Sequence, residues 1–156
     1  MMGNNATATI SYGILFKDGF EFPWSVKEFG GSIEYWWRKV NGFVNPIEEL
    51  WDKKGGYIPG CNKDDPRISK YFEEQRKWIN ENPLPIEEVY NSGGDYPDII
   101  LAIPDTIQET NCNPIVIDLN LIEPMHYNDS IVLDFCDKYG IKVPDCPRWL
   151  LSAYYG

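Results

Sequence analysis

Two aspartates are the residues best placed for chemistry, because each lies near an apolar, strand-like run. Asp98 comes directly before the run at 99–103, and Asp118 lies near the end of the run at 115–121. Two carboxylates at adjoining strand ends could hold a divalent metal ion that activates water. A small metal-dependent hydrolase is therefore one alternative for the function.

The residues around these aspartates disfavour phosphate chemistry. The order Asp98 … Asp118-Leu119-Asn120 resembles the PD-(D/E)xK nuclease pattern, but Asn120 stands at the position of its lysine. Residues 78–137 contain no lysine or arginine that could bind DNA or stabilise developing phosphate charge. The competing interpretation is structural: Asp98 caps a turn, and Asp118 faces solvent.

Other sequence features predict no cofactor. His126 is the only histidine, and without a convergent serine and acid it indicates no catalytic triad. The cysteine spacing matches neither a zinc knuckle nor a dense disulfide framework, so free thiols are expected. The four cysteines are Cys61, Cys112, Cys136 and Cys146.

Charge is distributed unevenly along the 156 residues. The formal net charge is −10, and residues 78–137 hold twelve acids with no compensating base. Clustered lysine and arginine are needed to neutralise phosphates, so direct binding to nucleic acid or to an anionic membrane is disfavoured. The acidic half either keeps the protein dispersed or faces a basic partner.

Aromatic residues add a second feature of the predicted binding surface. Trp36 and Trp37 cannot both face inward at 100° per helical residue, so one is expected at the surface. Exposed tryptophan and tyrosine provide large contact areas in protein interfaces. The alternative is a small aromatic cluster beneath the loop at 45–65. The predicted partner-binding residues are Trp36, Trp37, Glu87, Glu88, Asp95, Asp98, Tyr154 and Tyr155.

Hydrophobic patterns predict an α+β fold in one globular domain over residues 1–156, with residues 1–8 disordered. A mainly antiparallel sheet of about four or five strands should pack against two long helices and one short helix. The apolar C-terminal segment 148–156 should join this sheet, with alternate side chains on opposite faces. Predicted strands cover 10–16, with a short extension that ends at Pro23, and 86–90, 99–103 and 115–121.

Helix boundaries are indicated by capping residues. Ser32 is a suitable N-cap for the short helix, which extends to Val40 and is stopped by Gly42. Pro66 suits the first position of a long helix, and Asn128 or Asp129 is expected to cap another. The 99–103 run lacks alternation, which is typical of a central strand buried on both faces.

Three blocks resemble segments of small uncharacterised proteins encoded by bacteriophages and prophages. They are SYGILFKDGFEFPW at 11–24, DFCDKYGI at 134–141 and RWLLSAYYG at 148–156. The resemblance implies an accessory phage protein that acts in the bacterial cytoplasm. Many such acidic proteins bind and block a host protein, including defence systems such as CRISPR effectors, and some mimic the charge of DNA.

The leading hypothesis is a non-enzymatic phage protein that inhibits or masks a host or defence protein with a basic surface, as a partial DNA mimic or otherwise. A cytoplasmic location without a membrane partner is expected, because neither a secretory leader nor a long apolar span is seen. The alternatives are the Asp98 and Asp118 hydrolase and a structural or dimerisation component, so a homodimer stays open.

Overall fold

The computed structural model describes residues 6–43, 66–91, 97–111, 113–118 and 129–155. These residues form an α+β fold with a five-stranded antiparallel sheet, which confirms the predicted class. The strands are β1 (Ala6–Phe16), β2 (Glu87–Asn91), β3 (Asp98–Ala102), β4 (Gln108–Asn111) and β5 (Arg148–Tyr155). The helices are α1 (Ile33–Val40), α2 (Pro66–Glu81) and α3 (Asp129–Lys138), with a 3-10 helix at Pro104–Thr106. The expectation of two long helices is not confirmed, since α2 has 16 residues but α3 only 10.

The chain divides into two compact units. The first comprises Met1–Pro23 and Pro85–Gly156 and contains the sheet and α3. The second, Trp24–Leu84, contains α1 and α2 and is inserted in sequence between β1 and β2. The expected single domain over the whole chain stays a prediction.

Strand β1 is the centre of the sheet. Its residue Ile10 pairs with Leu151 of β5 on one edge and with Gln108 of β4 on the other. Further along, Gly13 pairs with Ala102, so β3 follows β4 on the same edge of β1. Strand β2 then pairs with the outer side of β3. The predicted first strand at 10–16 is confirmed and extends back to residue 6. Residues 6–8, which were expected to be disordered, therefore belong to the sheet, and residues 1–5 lie outside the described part of the chain.

The 3-10 helix interrupts the ladder between β3 and β4. Pro104 begins it, and because proline has no N–H, the backbone hydrogen bonding of a strand cannot continue there. The Thr106 hydroxyl accepts a hydrogen bond from the Tyr12 N–H at 2.9 Å, while Ile103 N–H donates to the Tyr12 carbonyl at 3.0 Å. The Thr106 side chain thus accepts a hydrogen bond that a backbone carbonyl would accept in a continuous strand pair.

Two predicted strands are wrong. Residues 115–118 form no regular structure, and Val116 is 95% exposed; residues 119–121 lie outside the described part of the chain. Strand β4, a polar segment, pairs with β1 instead. The extension ending at Pro23 is also not a strand, because Phe20 and Phe22 turn back to pack against Phe16 at ring distances of 4.6 and 5.0 Å.

The C-terminal strand is confirmed. Strand β5 pairs with β1 from Ala6 opposite Tyr155 to Gly13 opposite Arg148. The alternation is visible in burial, since Ser152 is 4% exposed and its neighbour Leu151 is 76% exposed.

Both faces of the sheet carry packed side chains. On one face, Leu15, Ile107 and Leu150 pack against a buried cluster of Val89, Ile100 and Ala102. Helix α3 buries Val132, Phe135 and Cys136, and its first residue, Asp129, accepts a hydrogen bond from the Tyr12 hydroxyl. Strand β3 is buried over 100–102, which confirms that it is a central strand.

In the second unit, Ser32 caps α1 as predicted, its hydroxyl accepting from Tyr35 N–H at 3.2 Å. The expectation that one adjacent tryptophan is exposed is wrong: Trp36 is 3% and Trp37 is 9% exposed. The ring of Trp36 packs 5.0 Å from that of Trp24, and the indole N–H of Trp37 donates to the Asn82 carbonyl at 2.9 Å. Because α1 is short and partners cover two of its sides, both indoles are enclosed.

Candidate functional site: an acidic groove

The sheet curls so that its two edge strands approach each other. In strand order, β2 and β5 lie on opposite edges, separated by β3 and β1. The Asn91 side chain at the end of β2 nevertheless accepts a hydrogen bond from the Ala153 N–H of β5 at 3.2 Å. Strong twist and curl are the geometry by which sheets approach barrel closure. The curl leaves a groove along β2, β4 and β5.

This acidic groove encloses a cavity of about 150 Å³. Glutamates come from two different strands, β2 and β4, and tyrosines come from β2 and β5. Among the described residues that line it, none is a lysine or an arginine. The groove is lined by Thr9, Glu87, Glu88, Val89, Tyr90, Ile107, Glu109 and Tyr154.

The groove combines an enclosed floor with accessible walls. Thr9 and Val89 are 4% and 8% exposed, whereas Tyr90 and Tyr154 are 44% and 40% exposed. Within the described residues, the Thr9 hydroxyl has no hydrogen-bond partner. The groove therefore offers a ligand the Thr9 hydroxyl, two tyrosine side chains and the carboxylates of Glu87 and Glu109.

Electrostatic effects in the groove are visible at Tyr90. Burial, followed by the nearby Glu88 carboxylate and Tyr154, raises the pKa of the Tyr90 phenol above its usual value of 10. The Tyr90 hydroxyl is therefore neutral at physiological pH and able to donate. Glu87 and Glu109 are exposed, and neither forms a salt bridge with any described residue. The negative charge of these two carboxylates is available to a cationic ligand.

The structure brings together three of the predicted binding residues: Glu87, Glu88 and Tyr154. Asp98 is not in the groove. Asp95 and the side chain of Tyr155 lie outside what the structure describes, while Trp36 and Trp37 belong to the second unit and are buried. The groove thus contains three of the eight residues that the sequence suggested for partner binding.

The two aspartates considered for metal binding lie apart. An Asp98 oxygen accepts from the Asp18 N–H at 2.9 Å, and its carboxylate lies 3.4 Å from the Lys17 amine, which confirms its role at a turn. Asp118 is exposed, and its N–H donates to Gln108, which pairs with Ile10. Along β1, at about 3.3 Å per residue, the two sites are separated by about 20 Å. The described residues contain no cluster of three His, Cys, Asp or Glu side chains suited to a metal ion.

Both cysteines in the described part of the chain are free thiols. Burial raises the pKa of the Cys136 thiol to about 11, which keeps it protonated, and Cys146 is an exposed free thiol. Cys61, Cys112 and His126 lie outside the described residues. None of the described helices combines the length and apolar character of a membrane span.

Sequence reasoning missed Thr9, Tyr90 and Glu109. Glu109 belongs to β4, whose sequence Gln-Glu-Thr-Asn has neither apolar alternation nor a β-branched run. Tyr90 follows the predicted pair Glu87-Glu88 in β2, so the proximity of an aromatic residue to those acids was the available signal. Thr9 could be found only through its pairing with Glu109 and Ser152.

No protein-family model, curated protein or solved structure matches this chain. The proposed function is therefore based on the geometry and charge of the groove.

Proposed function

We propose that this protein is a non-enzymatic binding protein of phage origin that inhibits or masks a host or defence protein with a basic surface. The observation that supports this most directly is the acidic groove, in which carboxylates from β2 and β4 accompany two exposed tyrosines, and the described lining residues include no cation. The proposed site of action is the bacterial cytoplasm.

Charge and aromatic area have separate roles in this proposal. The net charge of −10 steers a basic partner toward the protein and raises the association rate. The tyrosines then provide contact area at low entropic cost, since each has only two side-chain torsions. Groove carboxylates that occupy a nucleic-acid site on the partner would act there as a partial DNA mimic.

The test compares two triple variants in capture from bacterial lysate. Glu87→Gln/Glu88→Gln/Glu109→Gln removes the charge of the groove. The matched control, Glu21→Gln/Glu28→Gln/Glu73→Gln, removes the same charge at exposed positions outside the groove. The wild type and the control should retain a basic protein at about 50 mM salt and release it at about 1 M, where screening acts within about 3 Å. The groove variant should not retain it.

Inhibition is tested next with the purified partner. Adding the wild-type protein should lower the partner's own activity, and the groove variant should have little effect. Capture that both triple variants lose equally would show that only total charge matters. Capture that neither loses would place the contact elsewhere, and either result would contradict the proposal.

A second role, as a structural or dimerisation component, is favoured by one exposed apolar surface. Ile115, Val116, Ile117 and Leu151 are 44%, 95%, 38% and 76% exposed, and a cavity of about 190 Å³ lies between β1, β4 and the segment at 115–117. Contiguous exposed apolar patches commonly mark association sites. Sedimentation equilibrium of the wild type and of Val116→Lys would decide: a wild-type dimer that the variant abolishes supports this role, and a monomer in both rejects it.

A further inference from the structure

We infer that the acidic groove binds an arginine side chain, presented by an exposed segment of a partner protein, in preference to lysine. This inference rests on the proposed function and specifies the chemistry that the groove recognises.

The size of the groove suits a side chain rather than a whole ligand. Its cavity of about 150 Å³ is well below the roughly 300–1,000 Å³ that drug-sized ligands occupy. The narrow floor is formed by Thr9, Val89 and Ile107, while the glutamates stand toward the more exposed walls. A long side chain with an apolar stem and a cationic end could place its stem against the apolar residues of the floor and its charge beside the glutamates.

The carboxylates favour a planar cation. Glu87 on β2 and Glu109 on β4 belong to different strands, and neither is committed to a salt bridge among the described residues. Guanidinium has five N–H donors in a fixed fork and can serve two carboxylates together, whereas ammonium is a compact, strongly hydrated charge. The unpartnered Thr9 hydroxyl on the floor supplies one further acceptor.

The tyrosines strengthen the same preference. Tyr90 and Tyr154 come from β2 and β5, and each keeps about two fifths of its surface exposed. A guanidinium plane stacks on an aromatic face and can still donate from its edge to carboxylates. Lysine can approach a ring, but it cannot stack and form a bidentate contact together.

The experiment is an NMR titration of the whole protein, labelled with ¹⁵N, with three blocked tripeptides. They are acetyl-Gly-Arg-Gly-amide, its lysine counterpart and its citrulline counterpart, in which a neutral ureido group replaces guanidinium. Arginine should bind about threefold tighter than lysine, the factor that a contact with a second exposed carboxylate contributes. Citrulline should not bind. The shifted amide signals should cluster at Thr9, Ile107, Glu109, Tyr154 and residues 87–90.

Variants test whether the groove is responsible. Glu87→Gln/Glu109→Gln should weaken arginine binding about tenfold, since each exposed carboxylate contributes up to about 1 kcal/mol. The control Glu21→Gln/Glu73→Gln should bind like the wild type. Spectra of both variants also report their folding, so a loss of affinity can be separated from unfolding.

Equal affinity for arginine and lysine, binding of citrulline, no binding of arginine, or shifts away from the groove would each overturn the inference. Its failure is distinguishable from failure of the proposed function. Arginine binding in the groove without lysate capture would contradict the inhibitor role alone. Groove-dependent capture without arginine preference would contradict only this inference.

Discussion

Two adjacent leucines in β5 test the register that shapes the groove. Leu150 pairs with Ser11 and packs against the buried cluster of Val89, Ile100 and Ala102. Leu151 pairs with Ile10 and is 76% exposed. Because side chains alternate along a strand, replacing each leucine with alanine removes the same atoms from opposite faces.

The structure predicts unequal losses of stability. Leu→Ala substitutions in cores cost roughly 2–5 kcal/mol, and the partial burial of Leu150 places Leu150→Ala near the lower end, at about 2 kcal/mol. Leu151→Ala should cost less than about 0.5 kcal/mol, as is usual for surface positions. At about 2–4 °C per kcal/mol for a chain of this size, the melting temperature should fall by about 4–8 °C for Leu150→Ala and by less than about 2 °C for Leu151→Ala.

Thermal unfolding followed by circular dichroism measures both variants beside the wild type. A one-residue shift of β5 would exchange the two faces and reverse the order of the losses. A larger loss for Leu151→Ala than for Leu150→Ala would therefore refute the register, and with it the placement of Tyr154 in the groove. Equal small losses would show that β5 does not pack on the sheet.

Three further perturbations examine the first unit. Gly13→Ala should lower stability by about 3 kcal/mol or more or prevent folding, because the new Cβ would overlap the backbone oxygen of Leu101; urea unfolding measures this. Burial and the Asp129 hydrogen bond raise the pKa of Tyr12 to about 12, so the stability that this phenol contributes is complete below pH 10 and is lost as the pH rises through 12. The gap in denaturation midpoint between wild type and Tyr12→Phe should accordingly narrow from pH 9 to pH 12, and a constant gap would contradict that pKa. Removing residues 148–156 should leave the protein insoluble or molten, since β1 loses its partner from Ala6 to Gly13; a soluble truncated protein with a cooperative melt would contradict this.

Local sequence signals were sufficient to predict a helix end where a single capping residue determines it. Ser32 capped α1, and Gly140, with its positive φ of 67°, followed α3 as expected. The apolar run at 115–117 was wrongly predicted to be a strand, because the local sequence does not show which segment pairs with β1. Strand β4 pairs there, and residues 115–117 stay exposed. The enclosed pair Trp36 and Trp37 was missed for the same reason, because helical geometry does not reveal how many sides of a helix are covered.

The candidate site was predictable only in part. Glu87 and Glu88 were identified by charge, and Tyr154 by its place in an apolar tail. Their meeting with Glu109 depends on the curl of the sheet, which follows from strand order rather than from any local pattern. Conversely, Asp98 and Asp118 were considered together because both adjoin apolar runs, yet the sheet separates them.

The pairing of β1 with β5 has a consequence for how the protein folds during synthesis. The first described residues of the chain are paired with the last, from Ala6 opposite Tyr155 onward. Contacts between such distant residues slow folding, because most of the chain must be closed into a loop before they form. On the ribosome, one edge of β1 therefore waits unpaired until β5 has emerged. An unpaired strand edge makes this nascent state prone to aggregation.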